Sequence, residues 1–82
     1  MEFVVKDPFG IHARVATKIV NLVERYNADI KLICGDREVG GDSMLLMMHM
    51  GVKKGETVKI VYRKVPERRV EFEGELRKIL EG

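Results

Sequence analysis

The chain has 82 residues, of which 45% are hydrophobic and 34% charged, and its formal net charge is +2. This size suits one small domain over residues 1–82, and so mild a charge does not by itself predict nucleic-acid binding. The single cysteine, Cys34, excludes an internal disulfide and a cysteine-based zinc site and is expected to be a small core residue. No apolar run approaches the roughly 18–20 residues that cross a bilayer. The first residues lack a secretory signal pattern, so we expect a cytoplasmic protein.

The chain begins with a predicted strand and a predicted helix. Residues 2–6 are β-prone and flanked by charge, and turn residues at 7–10 end this strand. From Ala13 onward the apolar residues recur at i, i+3, i+4 and i+7, which predicts a helix with one apolar face. Asn27 is expected to end the helix in the left-handed conformation. The predicted apolar face comprises Ala16, Ile19, Val20 and Val23, with Leu22 and Tyr26 at its margin.

A hairpin and a short helix are predicted next. Residues 29–34 alternate in the manner of a half-buried strand, and a third, shorter strand is predicted over residues 37–39. The apolar segment 44–50 predicts a helix of about two turns. Asp42 and Ser43 are both suitable N-caps for that helix.

The last part of the chain predicts a strand and a helix. Residues 58–63 alternate as a fourth strand, and Pro66 suits the first turn of the last helix. Gly74 weakens the helix that contains it, but an apolar face is formed by Phe72, Leu76, Ile79 and Leu80. The order βαββαβα predicts an α+β open-faced β-sandwich, in which three helices cover one face of a four-stranded antiparallel sheet.

The residues with the clearest chemical meaning surround His12, which lies where a loop becomes the first helix. The first amides of a helix lack intrahelical partners and its N-terminus is positive, so the N–H groups of Ala13 and Arg14 can bind a phosphoryl group. Arg14 adds a planar guanidinium donor. Because imidazole is a competent nucleophile near neutral pH, we interpret His12 as a phosphoryl acceptor. A solvent-exposed or capping histidine is the alternative.

The segment Gly-Ile-His-Ala-Arg-Val-Ala at residues 10–16 resembles the active-site segment of HPr, the histidine-containing phosphocarrier family of the sugar phosphotransferase system. The resemblance covers essentially the whole chain, through a second signature at residues 42–44 and the run from Gly51 to Gly55. It implies that His12 receives phosphate from phosphoenolpyruvate through Enzyme I. It also implies that the phosphate passes to the EIIA domain of a sugar permease.

The resemblance also implies roles for individual residues. Arg14 would assist at the phosphorylated imidazole, and Nδ1 would be the reactive atom, although the residues alone leave both ring nitrogens open. Ser43 aligns with a serine that a dedicated kinase phosphorylates in many relatives to control carbon metabolism; a plain N-cap is its alternative role. No base, acid or metal set completes an independent active site. We therefore expect a monomeric carrier without cofactor or metal rather than an independent catalyst.

Two residues depart from the family pattern. Val15 stands where proline is usual, which should slightly loosen the helix start, and Leu46 stands where glycine is common. A two-turn helix cannot bury every side of an apolar segment, so Leu46 and Met47 are expected on an exposed partner surface. Lys18 would add charge for an acidic partner. His49 is expected to be structural or at the surface rather than catalytic.

Two other functions stay open. The first is a nitrogen-related or purely regulatory HPr relative, which uses His12 or Ser43 as a signalling switch and feeds no sugar permease. The second is a small α+β nucleic-acid binder, which requires aromatic side chains on the exposed sheet face and a strong basic patch. Two tyrosines, three phenylalanines and a net charge of +2 support the second poorly.

Overall fold

Four strands and three helices follow one another in the order βαββαβα, and the computed structural model describes all 82 residues. The strands are β1 (Glu2–Val4), β2 (Asp29–Cys34), β3 (Arg37–Gly40) and β4 (Thr57–Lys64). The helices are α1 (Ala13–Arg25), α2 (Met44–His49) and α3 (Arg69–Glu81). The strands form one antiparallel sheet in the order β1-β4-β2-β3. The predicted α+β open-faced sandwich is confirmed.

A hydrophobic core of 19 buried residues fills the space between the helices and one face of the sheet. Alternation places every second residue of β2 in this core, as the sequence pattern predicted. On α1, Leu22 is fully buried rather than marginal, whereas Val20 is only partly buried. The helix contacts both α2 and α3, so its buried arc is wider than a single apolar stripe. Asn27 has φ 50° just after α1, which confirms the predicted left-handed end.

Two predicted boundaries are wrong by two residues or more. Strand β1 ends at Val4, although the N–H of Val5 still donates to the Glu56 carbonyl in the same register; the backbone leaves this pairing at Lys6, whose N–H donates to the Leu80 carbonyl. Helix α3 begins at Arg69, and Pro66 is a buried residue of the preceding connection. Proline biases the residue before it towards an extended conformation, which suits the exit from β4 better than a helical turn.

The positions of the aromatic side chains test the interpretation of this chain as a nucleic-acid binder. Phe3 and Phe72 are buried in the core. The rings of Tyr26 and Tyr62 pack against Phe72 at centroid distances of 5.8 and 6.1 Å. These four rings therefore form no stacking surface on the open face of the sheet, because β4 directs Tyr62 to the helix side. None of the helices is both long enough and apolar enough to span a bilayer.

Cys34 is buried at the end of β2, as predicted for a small core residue. Burial, together with the nearby Glu56 carboxylate, raises the pKa of its thiol. Arg37 donates to the Cys34 carbonyl at 3.1 Å, to the Met50 carbonyl at 2.9 Å and to Glu56 Oε1 at 2.8 Å. These bonds join the β2–β3 hairpin to the end of α2 and to the loop before β4.

Substituting Gly74 with alanine is expected to stabilise the protein by about 0.5–1 kcal/mol, because glycine is a poor helix former. A Cβ at this position of α3 meets no atom within 4 Å. Gly10→Ala is expected to destabilise the protein instead, because φ is +67° at this residue and the added Cβ would clash with the Val52 carbonyl oxygen. Chemical denaturation measures the unfolding midpoints of both variants. A midpoint that rises for Gly10→Ala would contradict this explanation of the two sites.

Candidate functional site

His12 is the N-cap of α1, with φ −99° and ψ −176°. Its carbonyl accepts the first helical hydrogen bond, from the Ala16 N–H at 2.9 Å, but its side chain makes no capping bond. The backbone N–H groups of Ala13, Arg14 and Val15 consequently have no acceptor within the protein. The imidazole is 28% exposed beside these free donors. The structure thus brings His12 together with the two backbone groups predicted to bind phosphate.

The loop before α1 is held by backbone hydrogen bonds, one of which joins it to a residue that is distant in sequence. The N–H of Gly10 donates to the Asp7 carbonyl at 2.9 Å, which closes a turn, and the N–H of Ile11 donates to the Val52 carbonyl at 3.1 Å. The positive φ of Gly10 permits this close approach to Val52. Because the Ile11 side chain is also buried, the backbone that carries His12 is fixed on its inner side.

Asp7 contacts the imidazole, a relation that was not predicted because the sequence pattern marks this residue only as part of a turn. Asp7 Oδ1 lies 3.2 Å from His12 Nε2 and accepts the Phe9 N–H at 2.9 Å. The other carboxylate oxygen, Oδ2, accepts from Arg14 Nη2 at 2.9 Å. An aspartate side chain bonded to the backbone two residues later is a known local pattern, and this was the available signal.

The Asp7 carboxylate is a fixed negative charge in the site. The hydrogen bond from the Phe9 N–H holds its pKa below the ordinary value, and His12 and Arg14 act in the same direction against the opposing effect of burial. The carboxylate is therefore ionised at neutral pH. Its side chain is only 14% exposed, so the charge is held between the turn and the imidazole rather than in bulk solvent.

Arg14 lies on the Nε2 side of the imidazole. Its Nη2 is 3.4 Å from His12 Nε2, and its guanidinium is otherwise well exposed. A groove of about 470 Å³ opens beside Asp7 and Arg14 and is lined in part by Lys6, Lys18 and Lys78. The surroundings of the Asp7–Arg14 pair therefore carry several cations that can attract an anionic group, against the opposing charge of Glu81 in the same groove.

Phe9 is a second neighbour of His12 that was not predicted from the sequence. Its side chain is 80% exposed, and its ring meets the imidazole edge-to-face with centroids 6.0 Å apart. The sequence feature that could have identified Phe9 is a large aromatic residue within a polar turn. An apolar group so exposed beside the imidazole can contact a partner protein that approaches His12.

Helix α2 carries the other predicted residues. Ser43 is its N-cap, and Ser43 Oγ accepts the Leu46 N–H at 3.2 Å. Leu46 is 52% exposed, as predicted, but Met47 is 0% exposed, so its predicted place on a partner surface is wrong. With Ser43 as the cap, Met47 and Met50 lie three residues apart on the inner face. The exposed apolar residues are Met44, Leu45 and Leu46.

His49 and Lys18 both lie at the surface, on different helices. His49 ends α2 and is exposed, which agrees with a surface residue. Lys18 is exposed on α1 and lines the groove beside Arg14. The two helices are joined near Lys18 by Thr17, whose Oγ1 donates to Met44 Sδ at 3.0 Å.

Residues 1–70 match the family model PTS-HPr, described as the PTS HPr component phosphorylation site. The chain belongs to the HPr family. The phosphocarrier protein HPr of Mycoplasma pneumoniae is 33% identical to it over 61 residues, which cover 73% of this chain and 69% of that protein. The multiphosphoryl transfer protein of Escherichia coli O157:H7 is 36% identical over 61 residues, which are 71% of this chain. The match spans only 16% of that longer relative.

Solved HPr structures share the fold. HPr-C-His from Thermoanaerobacter tengcongensis superposes with a TM-score of 0.81 at 23% identity, covering 99% of this chain and 89% of that chain. The phosphocarrier protein HPr from Bacillus anthracis str. Ames gives a TM-score of 0.81 at 21% identity, over 98% and 93% of the two chains. At such identities the likeness establishes the HPr fold, and function has to be argued from the site.

Proposed function

We propose that this chain carries a phosphoryl group on His12, which it receives from phosphoenolpyruvate through Enzyme I and passes to the EIIA domain of a sugar permease. One observation carries the proposal: the N-cap residue of α1 holds an accessible imidazole at a helix start where three backbone N–H groups have no acceptor. Its relatives include phosphocarrier and multiphosphoryl transfer proteins, which supports the same chemistry.

The helix end suits a phosphoryl group that must be held and then released. Free N–H donors and the positive end of the helix dipole both favour a dianion there. The group stays near solvent, so these interactions steady it without enclosing it. Arg14 supplies a permanent charge within reach of the ring. A carrier needs such moderate stabilisation, because a group bound too tightly could not move to the next protein.

We infer that partner proteins dock on the apolar residues that surround His12 and continue onto α2. The proposed surface consists of Phe9, Leu45 and Leu46, with Lys18 at its charged margin. Exposed leucines on a short helix serve no packing role within this chain, and a lysine beside them can pair with an acidic partner. Leu46 in place of the usual glycine enlarges this surface and thereby alters which partners fit.

We also propose Ser43 as a site of regulatory phosphorylation. Its side chain is partly exposed at the start of α2, and a phosphate there would place negative charge next to Leu46 on the proposed docking surface. Incubation with an HPr serine kinase and ATP, followed by mass spectrometry, tests this role. Unmodified Ser43 after complete modification of a known HPr in the same reaction would leave it as an N-cap only.

The main experiment mixes the chain with Enzyme I and labelled phosphoenolpyruvate. We expect one acid-labile, alkali-stable label per molecule, and no label on His12→Ala. His49→Ala is the matched control, because the chain has only two histidines and His49 lies at the end of α2. Undiminished label on His12→Ala would refute the proposed acceptor.

A second step distinguishes a sugar carrier from a signalling relative. The phosphorylated chain is purified and mixed with EIIA domains of sugar permeases. Transfer of label to EIIA supports the proposed carrier. A chain that accepts label but passes it to none of a broad set of EIIA domains would instead be a regulatory member of the family. The exposed Leu46, a departure from the family pattern, is the observation that favours this second function.

A further inference from the structure

The Asp7 carboxylate is held in place on three sides. It accepts the Phe9 N–H and faces His12 Nε2 through one oxygen, and it accepts Arg14 through the other. The loop that carries it is anchored to Val52 through Ile11. The carboxylate therefore has little freedom to turn away from the imidazole.

The charge of this carboxylate favours one of the two ring nitrogens as the nucleophile. An ionised carboxylate only accepts hydrogen bonds, so Oδ1, which lies 3.2 Å from Nε2 in an ion-pair contact, favours the tautomer whose proton is on Nε2. In the neutral imidazole the lone pair is then on Nδ1, which has no hydrogen-bond partner in the protein. We propose that Asp7 is a positioning residue, which holds the proton of His12 on Nε2 and leaves the lone pair of Nδ1 for the phosphoryl group. The role in transfer rests on the proposed function.

The contact with Arg14 competes with this arrangement, because a guanidinium can donate to Nε2 only when Nε2 carries no proton. Arg14 Nη2 lies 3.4 Å from Nε2, farther than the 3.2 Å that separates Nε2 from the carboxylate. With the proton on Nε2, the guanidinium and the ring are two donors that share the Asp7 carboxylate, Arg14 through Oδ2 and Nε2 through Oδ1. The competing arrangement, in which Nε2 accepts from Arg14 and Nδ1 carries the proton, would leave the ring without a hydrogen bond to the charged group nearest to it.

Transfer of the phosphoryl group to Nδ1 requires no movement of the Nε2 proton. The Nδ1 lone pair attacks phosphorus, and an N–P bond forms as the bond from phosphorus to the donor's leaving atom breaks. The leaving atom takes that electron pair. The ring then carries a positive charge, since Nε2 remains protonated, and the Asp7 carboxylate lies next to that charge. In the reverse step the electron pair returns to Nδ1, and the carboxylate again holds the proton in place.

Two substitutions separate this role from a merely structural one. Asp7→Asn keeps an oxygen for the Phe9 N–H and so preserves the turn, but it removes the charge that favours a proton on Nε2. Asp7→Ala removes both the oxygen that accepts the Phe9 N–H and the negative charge. All variants are made in a His49→Gln background, so that His12 is the only histidine. The small phosphoryl donor phosphoramidate replaces Enzyme I, which removes any effect of partner docking.

The first readout is ¹⁵N NMR of the two ring nitrogens of His12 at a pH where the ring is neutral. We expect the proton on Nε2 in the parent and a mixture of both tautomers in Asp7→Asn. The second readout is phosphorylation by phosphoramidate. We expect modification at Nδ1 in the parent, and in Asp7→Asn a rate about tenfold lower with part of the product at Nε2, as for other groups that orient a functional histidine.

The outcomes distinguish this inference from the proposed function. A proton on Nδ1 in the parent, or identical tautomers, rate and product in Asp7→Asn, would overturn the role of Asp7 while leaving His12 as the acceptor. A parent that phosphoramidate does not modify, with Enzyme I equally inactive, would refute the proposed function. The tautomer measurement would still decide whether Asp7 positions the ring. Unfolding midpoints of the parent and Asp7→Asn check that the fold is unchanged.

Discussion

Replacing Met47 with alanine is expected to lower the free energy of unfolding by about 2–5 kcal/mol. Met47 is fully buried in the core, although its neighbours on α2 are exposed. The helix has only six residues, so few other side chains hold it to the rest of the protein. Truncation therefore leaves a cavity under a short helix and loosens its contact with α1. Urea denaturation followed by circular dichroism measures the loss.

Leu46→Ala is the matched control for Met47→Ala, because it removes a similar apolar side chain from the adjacent, exposed position. We expect its free energy of unfolding to change by less than about 0.5 kcal/mol. Its phosphotransfer with partner proteins should slow instead, since Leu46 belongs to the proposed docking surface. Similar losses of stability for the two variants would mean that the division of α2 into an inner and an outer face is incorrect.

The wrong prediction for Met47 shows where a sequence pattern does not determine which residues of a helix are buried. Five consecutive residues from Met44 to Met48 are apolar, so no polar residue marks the outer face. Two adjacent N-cap candidates, Asp42 and Ser43, add further ambiguity, because a shift of one residue rotates a helix by about 100°. In α1, by contrast, polar residues alternate with apolar ones over 13 residues, and the buried face was largely predicted.

The candidate site was predictable in the part that depends on local sequence. A histidine before a helical pattern places an imidazole at a helix start, and His12 lies there. The contact of Asp7 with this imidazole was not predictable in the same way. It depends on the path of the loop, which is set by the positive φ of Gly10 and by a backbone hydrogen bond to Val52, a residue distant in sequence.

The departure at Val15 has a structural explanation. Val15 is the third residue of α1, and its N–H has no acceptor in the protein, so a proline there would remove no hydrogen bond. The Val15 side chain is buried in the core, where an apolar residue of moderate size is needed. Valine meets that requirement and also leaves a third free N–H group beside His12. The substitution therefore adds a possible donor to the helix end instead of taking one away.

Replacing Arg14 with glutamine is expected to slow phosphorylation of His12 by about tenfold to a hundredfold. A hydrogen bond to a charged group contributes about 1.5–3 kcal/mol, and about 1.4 kcal/mol corresponds to a factor of ten in rate. Glutamine retains one planar donor but loses the charge and the second donor arm. Arg14→Lys keeps the charge without the fork, so its rate should lie between those of the parent and Arg14→Gln.

The measurement for Arg14 compares initial rates with Enzyme I and labelled phosphoenolpyruvate among these variants. Arg25→Gln is the control, because Arg25 ends the same helix, far along it from His12. It carries the same charge, so the control separates a local effect on the phosphoryl group from a general loss of positive charge. Equal slowing by Arg14→Gln and Arg25→Gln would show that net charge, acting on encounter with Enzyme I, accounts for the effect. A loss confined to Arg14, and partly restored by lysine, would assign it to contact with the transferring group.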